Sequence, residues 1–340
     1  RQRQMCIRDR RIVELDIIRG IAISVVLFAN VSEVLPIFGD EKKPHFTSLD
    51  YMIKQFFSLF IDGRFIMLFT LLFGIGMGIF MNNARKKSLS PLNLMFRRLL
   101  FLFVVGIFGM ILSLPYAEYA ICGAVIMWLF LLPQARYNLW ISILTLLSII
   151  IMTFVDTNSN LYLIDAMAVM LFGMYMSQSG MIYRFKHHRK FFLNTFLICL
   201  AAIIVLIGIK YIGSNLSWMN IEDLVTPFQT LIYFIILLFI TDKESVQRLL
   251  VPFEKLGKTA FTNFMAQMLL LYFFIRFVFP YNHPTPIQSI CIALPILIIS
   301  MLVTHWWLKR YRQGPLEALW RKWTYKNAVS YTHLTLPTKR

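Results

Sequence analysis

Residues 15–35 read LDIIRGIAISVVLFANVSEVL, a stretch long and apolar enough to cross a membrane as one helix. It carries Asp16 and Arg19 near one end and Asn30 and Glu33 near the other. A charge at the centre of a membrane helix costs at least ~3 kcal/mol, so charges within spans usually face a protein interior or a water-filled cavity. The stretch therefore predicts a membrane protein with a polar path or site along this helix.

The composition supports this interpretation and excludes other classes of protein. Of 340 residues, 58% are hydrophobic and 15% are charged, and the mean hydropathy is +0.65, whereas soluble domains contain about 25% charged residues. The net charge of +17 does not indicate nucleic-acid binding, because the Lys and Arg residues lie in short loops between apolar segments, where they set membrane topology. The cysteines have neither metal-ligand nor disulfide spacing, and no His, Cys or carboxylate pattern predicts a metal site.

The two ends of the chain differ in character from the rest. Residues 1–10 (RQRQMCIRDR) and 328–340 resemble translated sequencing-adapter read-through, so we expect both segments to be non-native. Residues 11–327 are predicted to form a single transmembrane domain, because no linker is long enough to separate two domains.

The predicted fold class is all-α, a polytopic transmembrane helical bundle of about ten spans. The predicted spans are residues 14–36, 55–80, 96–114, 118–133, 138–155, 161–178, 192–211, 222–241, 259–280 and 286–308. Lys and Arg are concentrated in alternate loops, which places both termini in the cytoplasm. After the last span, GPLEALWRKWTY (314–325) has the pattern of an amphipathic helix on the cytoplasmic membrane surface, with its indoles at the level of the lipid headgroups.

Asp16 and Arg19 lie one helical turn apart at the predicted cytoplasmic end of the first span, so they can form an ion pair. One interpretation is topological, with a positive-inside charge neutralised by its neighbour. The functional alternative is that Arg19 holds an anionic group, such as a phosphate, that enters from the cytoplasm.

Polar residues also collect on the predicted outer side, where they are either solvated helix ends or a cluster that faces a substrate. These residues are Asn30, Glu33, His45, Asp62, Arg64, Glu118 and Asp165. His45 is the candidate general base among them, because imidazole exchanges protons near neutral pH.

The ninth predicted span begins with GKTAFTNFMAQ (257–267). Thr259, Asn263 and Gln267 recur at intervals of four and share one helical face. Such residues either form hydrogen bonds between helices, at about 1 kcal/mol each, or line a site. In the second span, the glycines of LFGIGMG (72–78) predict close helix packing and not a nucleotide-binding loop.

Four stretches together resemble the YeiB family of bacterial inner-membrane proteins, which is defined by a domain of unknown function. They are LDIIRGIAISVVLFAN, FIMLFTLLFGIGMG, GKTAFTNFMAQ and RQGPLEALWRKWTY, in the family's order. The resemblance implies a multi-pass protein of the bacterial cytoplasmic membrane. Family members often carry a Gly-Asp-Ile-Leu-like stretch before the fourth span. Here the region reads SLPYAEYAICG (113–123), so the family Asp is absent and Glu118 is at best a displaced substitute for it.

The first helix also resembles that of membrane acyltransferases, which include heparan-glucosaminide acetyltransferases and bacterial O-acyltransferases of surface sugars. In the O-acyltransferases an Arg is followed, after ten residues, by an essential His, and here that spacing leads from Arg19 to Asn30. The heparan-type enzymes have Asn at this point and draw their active His from the following outer loop, where this chain has His45.

The resemblance implies acyl transfer from a cytoplasmic donor to an extracytoplasmic acceptor. We expect Asp16, Arg19, Glu118, Asn263 and Gln267 to bind substrate, and Asn30, Glu33 and His45 to act at the reacting groups. No resident cofactor is predicted, and acyl-CoA is the candidate donor. The predicted partners are the lipid bilayer and a small-molecule, lipid or glycan substrate. The alternatives are a small-solute transporter and a non-catalytic protein that binds lipid or a partner.

Overall fold

The computed structural model describes residues 12–31, 46–110, 114–155, 162–211, 218–278 and 284–325. Throughout these ranges every regular element is helical, which confirms the all-α prediction. The α-helices, numbered in chain order, are α1 Val13–Asn30, α2 Ser48–Phe60, α3 Arg64–Lys86, α4 Pro91–Gly109, α5 Tyr116–Ile126, α6 Arg136–Val155, α7 Tyr162–Gln178, α8 Arg189–Tyr211, α9 Trp218–Ile240, α10 Glu244–Leu249, α11 Val251–Lys258, α12 Ala260–Val278, α13 Pro286–Arg310 and α14 Pro315–Tyr325.

Six helical segments in the described ranges are long and apolar enough to cross a membrane. They are Ser48–Lys86, Pro91–Gly109, Arg189–Ile209, Asp223–Ile240, Ala260–Val278 and Pro286–Arg310, with shorter apolar helices at Tyr116–Leu131 and Arg136–Met152. The length and apolar composition of these segments identify the chain as a membrane protein. Ten spans and cytoplasmic termini remain predictions.

The second predicted span, residues 55–80, lies within the candidate span Ser48–Lys86, which a short turn divides into α2 and α3. The chain turns between α2 and α3 at Gly63, whose φ of +74° favours glycine. Arg64, one of the predicted outer-side residues, has a structural role at this turn. Its Nη1 donates to the carbonyl oxygens of Ser58 at 2.6 Å and Asp62 at 2.7 Å, and its Nε donates to Oε1 of Gln229 at 2.7 Å.

The centre of the bundle is the contact between α3 and α7. A Cβ atom added at Gly74 would overlap the carbonyl oxygen of Met170, and one added at Gly78 would overlap Oγ of Ser177. Both glycines therefore act as predicted, letting two helices approach closely in an environment where packing drives association. Gly76 differs, because an added Cβ there would lie 3.7 Å from Nη2 of Arg19.

A second close contact joins α1 to α11. A Cβ atom added at Gly20 would overlap the carbonyl oxygen of Phe253, and one added at Gly257 would overlap that of Asp16. The ninth predicted span, residues 259–280, corresponds to α12, which begins one residue later, at Ala260, and follows a separate helix, α11. The break falls at Thr259, which has φ −118° and ψ 36°.

The C-terminal helix α14 packs on the bundle through one face. Trp320 donates from Nε1 to the carbonyl oxygen of Arg98 at 2.9 Å, and its ring centroid lies 5.4 Å from that of Phe261. Leu319 and Trp323 are 53% and 45% exposed. The predicted amphipathic pattern is present, and Trp320 packs against the protein, where its indole N–H finds a backbone acceptor on α4. The position of α14 at the headgroup level remains a prediction.

Candidate functional site

A cavity of about 240 Å³ lies inside the bundle, between α1, α3, α4, α5, the junction of α11 and α12, and α14. Its lining changes along its length. One end carries Arg19, Arg98, Lys258 and Glu317. The wall that leads away from this end is apolar and aromatic and includes Phe69, Phe73, Tyr116, Tyr119 and Phe264.

Arg19 reaches the basic end of the cavity from α1. Its Nη1 donates to Oδ1 of Asp16 at 3.1 Å, so the predicted ion pair forms within α1. Asp16 is buried and lies outside the cavity lining, whereas Arg19 lines it. The guanidinium of Arg19 lies next to Gly76 on α3, since its Nη2 would be 3.7 Å from a Cβ atom added there.

Arg98 lies opposite, on α4, with its guanidinium between two aromatic rings. Its Cζ atom is 4.0 Å from the ring centroid of Trp320 and 4.8 Å from that of Phe80. The guanidinium makes no hydrogen bond or ion pair with any residue in the described ranges. Its electrostatic neighbours include the like-charged Arg19. Such a cation is a natural partner for an anionic ligand.

The other two charged groups at this end have partners within the protein. Lys258 forms an ion pair with Glu254 one turn earlier in α11. Glu317 caps the N-terminus of α12, because its Oε1 accepts from the backbone N–H groups of Phe261 at 2.8 Å and Thr262 at 3.1 Å. Its Oε2 accepts from Oγ1 of Thr262 at 2.5 Å. A carboxylate is stabilised there by the free N–H groups and by the helix dipole.

The aromatic wall is held in place by two tyrosines of α5. The hydroxyl of Tyr119 donates to the carbonyl oxygen of Ile66 at 3.0 Å, and its ring stacks on Phe73 at 5.9 Å. The hydroxyl of Tyr116 donates to the carbonyl oxygen of Phe261 at 3.4 Å. Since both hydroxyls bond to backbone, the ring faces remain as apolar surface, and the cavity as a whole is amphipathic.

Asn263 and Gln267, predicted on one face of the ninth span, lie outside the cavity lining. Asn263 donates from Nδ2 to Oγ1 of Thr259 at 2.7 Å and accepts from Oγ1 of Thr304 at 2.9 Å, so it joins α12 to α13. Gln267 is fully buried, and its amide makes no hydrogen bond with the residues that the structure describes.

Asn30 and Glu118 are also separate from the cavity. Asn30 is buried and donates from Nδ2 to Sδ of Met268 at 3.3 Å, while its Oδ1 has no partner within the described part of the chain. Glu118 is exposed at the start of α5. Glu33 and His45 lie outside the described residues. The structure thus brings Arg19, but not the other described candidates, to the cavity.

Sequence reasoning missed Arg98, Lys258, Glu317 and Trp320 as site residues. Arg98 and Lys258 were explained by the topology signal that loop cations give, and the last two by a membrane-surface helix. Residue identity alone does not separate a cation that faces a cavity from one that faces lipid headgroups. In the described ranges no group of three or more His, Cys, Asp or Glu residues is arranged to hold a metal.

The amino-acid sequence is similar to a family model and to several bacterial proteins. Residues 176–327 match a family model described as a protein of unknown function, DUF418. The chain is 26% identical over 340 residues to an uncharacterised 39.9 kDa protein of Bacillus acidopullulyticus, which covers 93% of this chain and 94% of that protein. It is 24% identical over 389 residues to the uncharacterised protein YxaH of Bacillus subtilis, covering 95% and 96%.

A further match is to the uncharacterised protein YeiB of Escherichia coli, 26% identical over 107 residues, which are 32% of this chain and 28% of YeiB. The predicted resemblance to the YeiB family is confirmed. The matched DUF418 segment contains Lys258, Glu317 and Trp320, while Arg19 and Arg98 precede it. The site of this YeiB-like chain therefore combines residues from inside and outside the segment that the family model matches. No solved structure matches the chain.

Proposed function

We propose that this YeiB-like membrane protein is an acyltransferase-like protein of the bacterial cytoplasmic membrane. It would take an acyl group from a donor bound on the Arg19 side and pass it to an acceptor on the opposite, extracytoplasmic side. The observation that carries the proposal is that Arg19 and a long aromatic wall line one cavity. A cation at one end and apolar surface beyond it suit a donor that has an anionic group and an acyl chain.

The proposed donor-binding residues and the proposed acceptor-side residues lie at opposite ends of the transfer path. Arg19, together with Arg98 and Lys258, would bind the anionic group of the donor, and the acyl group would lie against Phe73 and Tyr119. On the acceptor side, His45 is the expected general base, with Asn30 and Glu33 as polar neighbours on the same loop or helix end.

Binding of radiolabelled acetyl-CoA and of longer acyl-CoA to the purified protein tests the donor half of the proposal. Arg19→Gln should weaken binding by about tenfold or more, because a charge-assisted contact is lost. Arg97→Gln is the matched control, since Arg97 lies outside the cavity lining. Saturable binding that is unchanged by Arg19→Gln contradicts the assignment of this site.

The acceptor half is tested by His45→Ala. This variant should insert into the membrane normally and lose acyl transfer, because the transfer step would lack its base. Membrane fractionation measures the insertion and label transfer measures the activity. Retained transfer in the variant removes His45 from the mechanism.

Transport of a small solute is the second candidate, and the buried polar residues between α12 and α13 favour it. Thr259, Asn263 and Thr304 form a hydrogen-bonded row, and Gln267 continues it with an amide that has no partner in the described ranges. Polar groups buried in a membrane bundle commonly mark solute or ion pathways. Flux of a solute into proteoliposomes without any covalent change, reduced by Gln267→Leu, would favour transport over transfer.

A further inference from the structure

We propose that the cavity takes a phosphate-bearing membrane lipid, with its phosphate between Arg19 and Arg98 and one hydrocarbon chain along the aromatic wall. This inference rests on the proposed function for the cavity as the site of a ligand with an anionic group and an acyl chain, and it names a membrane phospholipid, in place of acyl-CoA, as that ligand. The shared chemistry is a phosphate ester joined to a long alkyl chain. The membrane, and not a soluble pool, is its source.

The charged end of the cavity carries three cations, Arg19, Arg98 and Lys258, and one carboxylate, Glu317, whose oxygens accept from the first turn of α12 and not from a cation. Arg19 pairs with Asp16 and Lys258 pairs with Glu254, whereas the Arg98 guanidinium makes neither a hydrogen bond nor an ion pair with any residue that the structure describes. Removing an unpaired charge from water is costly, so such a group is expected to have a counter-ion in its working state. The Cζ atom of Arg98 lies 4.0 Å from the ring centroid of Trp320 and 4.8 Å from that of Phe80, and aromatic rings accept no proton from its N–H fork in the way that a phosphate does, the partner that this fork binds best.

The length of the apolar wall fits one leaflet of a bilayer. On α3 the lining extends from Gly76, beside Arg19, to Ile66, beside Tyr119. Ten residues of α-helix rise ~15 Å, and half of the hydrocarbon core of a bilayer is also ~15 Å thick. A lipid whose phosphate lies at Arg98 can therefore place one chain along the whole wall.

Aromatic side chains close the cavity on the side between α4 and α12. These two helices have almost no direct backbone contact, and aromatic side chains close the space between them. The ring of Phe261 lies 5.0 Å from that of Tyr116 and 6.3 Å from that of Phe101. Side-chain rotation is faster than helix separation, so entry of a lipid on this side would require these rings to rotate and not the two helices to separate.

The test measures the melting temperature of the protein purified in a neutral detergent. Phosphatidylglycerol should raise it in the wild type, because a ligand that binds only the folded state stabilises that state. Diacylglycerol with the same chains, and inorganic phosphate alone, should not. Arg98→Gln should weaken the apparent affinity for phosphatidylglycerol by about tenfold or more, whereas Arg97→Gln, next to it on α4 and outside the cavity lining, should respond as the wild type does.

Arg98→Lys keeps a cation beside the two rings, so it tests the role of Arg98 even if Arg98→Gln does not fold. It should lower the affinity, because lysine lacks the two-pronged geometry of the guanidinium. An equal response to diacylglycerol, an equal response to inorganic phosphate, or an unchanged affinity in both Arg98 variants would each overturn the proposal. Acyl-CoA binding and transfer without any response to phosphatidylglycerol would sink this inference and leave the proposed function standing. Stabilisation by phosphatidylglycerol without acyl-CoA binding or transfer would contradict the proposed function and leave this inference standing.

Discussion

Replacing Glu317 by alanine tests whether α14 is part of the folded bundle or only a membrane-surface helix. Glu317 accepts three hydrogen bonds from the first turn of α12, two of them from backbone N–H groups. Hydrogen bonds to charged groups contribute ~1.5–3 kcal/mol each. Because the side chain is half-buried, water can replace part of this loss, and we expect Glu317→Ala to lower the free energy of unfolding by ~2–4 kcal/mol.

Glu317→Gln separates the hydrogen bonds from the charge. Glutamine keeps one carbonyl oxygen, which can still accept from the N–H groups of Phe261 and Thr262, and its NH2 group can donate to Oγ1 of Thr262 where Oε2 accepted from it. It loses the interaction of a negative charge with the helix N-terminus. That interaction is typically ~0.3–1 kcal/mol at exposed positions and rises where the group is partly buried. The expected order of stability is therefore wild type, then Gln lower by ~1 kcal/mol, then Ala.

Equilibrium unfolding in mixed detergent micelles, followed by circular dichroism, measures these differences. Leu319→Ala is the matched control, because Leu319 lies on the same helix and its side chain is 53% exposed. Exposed substitutions of this kind usually change stability by less than ~0.5 kcal/mol. If Glu317→Ala were no more destabilising than Leu319→Ala, the capping argument would be refuted and α14 would be a surface helix.

Two further predictions concern the contacts that position the site. Gly257→Ala should prevent accumulation of folded protein, since the added Cβ would overlap the carbonyl oxygen of Asp16. Gly208→Ala is the control and should accumulate normally, because no atom of the described residues lies within 4 Å of its added Cβ. Fluorescence-detected size exclusion compares the two variants. Asn263→Ala should cost ~1 kcal/mol, because the hydrogen bond from Thr304 is lost, and Asn263→Ala combined with Thr304→Val should cost less than the sum of the single changes. Fully additive losses would show that the two side chains are not coupled.

The helical, membrane-embedded fold followed from the sequence because lipid leaves few alternatives: apolar segments of about 20 residues must satisfy their backbone groups internally as helices. The breaks were harder to foresee. Gly63 and Thr259 interrupt segments whose hydrophobicity is nearly continuous. A prediction based on hydrophobicity therefore joins α2 to α3, and it does not separate α11 from α12.

The candidate site was predicted in part. Arg19 was identified because a charge inside an apolar helix is costly and so conspicuous. Arg98 and Trp320 carried no such signal, since a cation or an indole near a helix end has an ordinary topological explanation. Their approach to 4.0 Å depends on how α14 folds back on α4, a contact between residues 222 positions apart that no local pattern encodes.

The capped N-terminus of α12 also has a consequence for biogenesis. Membrane helices enter the bilayer in order as the chain emerges, yet the basic end of the cavity needs Arg19 from α1 and both Glu317 and Trp320 from α14. Until α14 is made, the first turn of α12 lacks its cap and the guanidinium of Arg98 lacks one of its rings. The binding site is therefore the last part of the molecule to form, and an incomplete chain can insert its helices before it is able to bind anything.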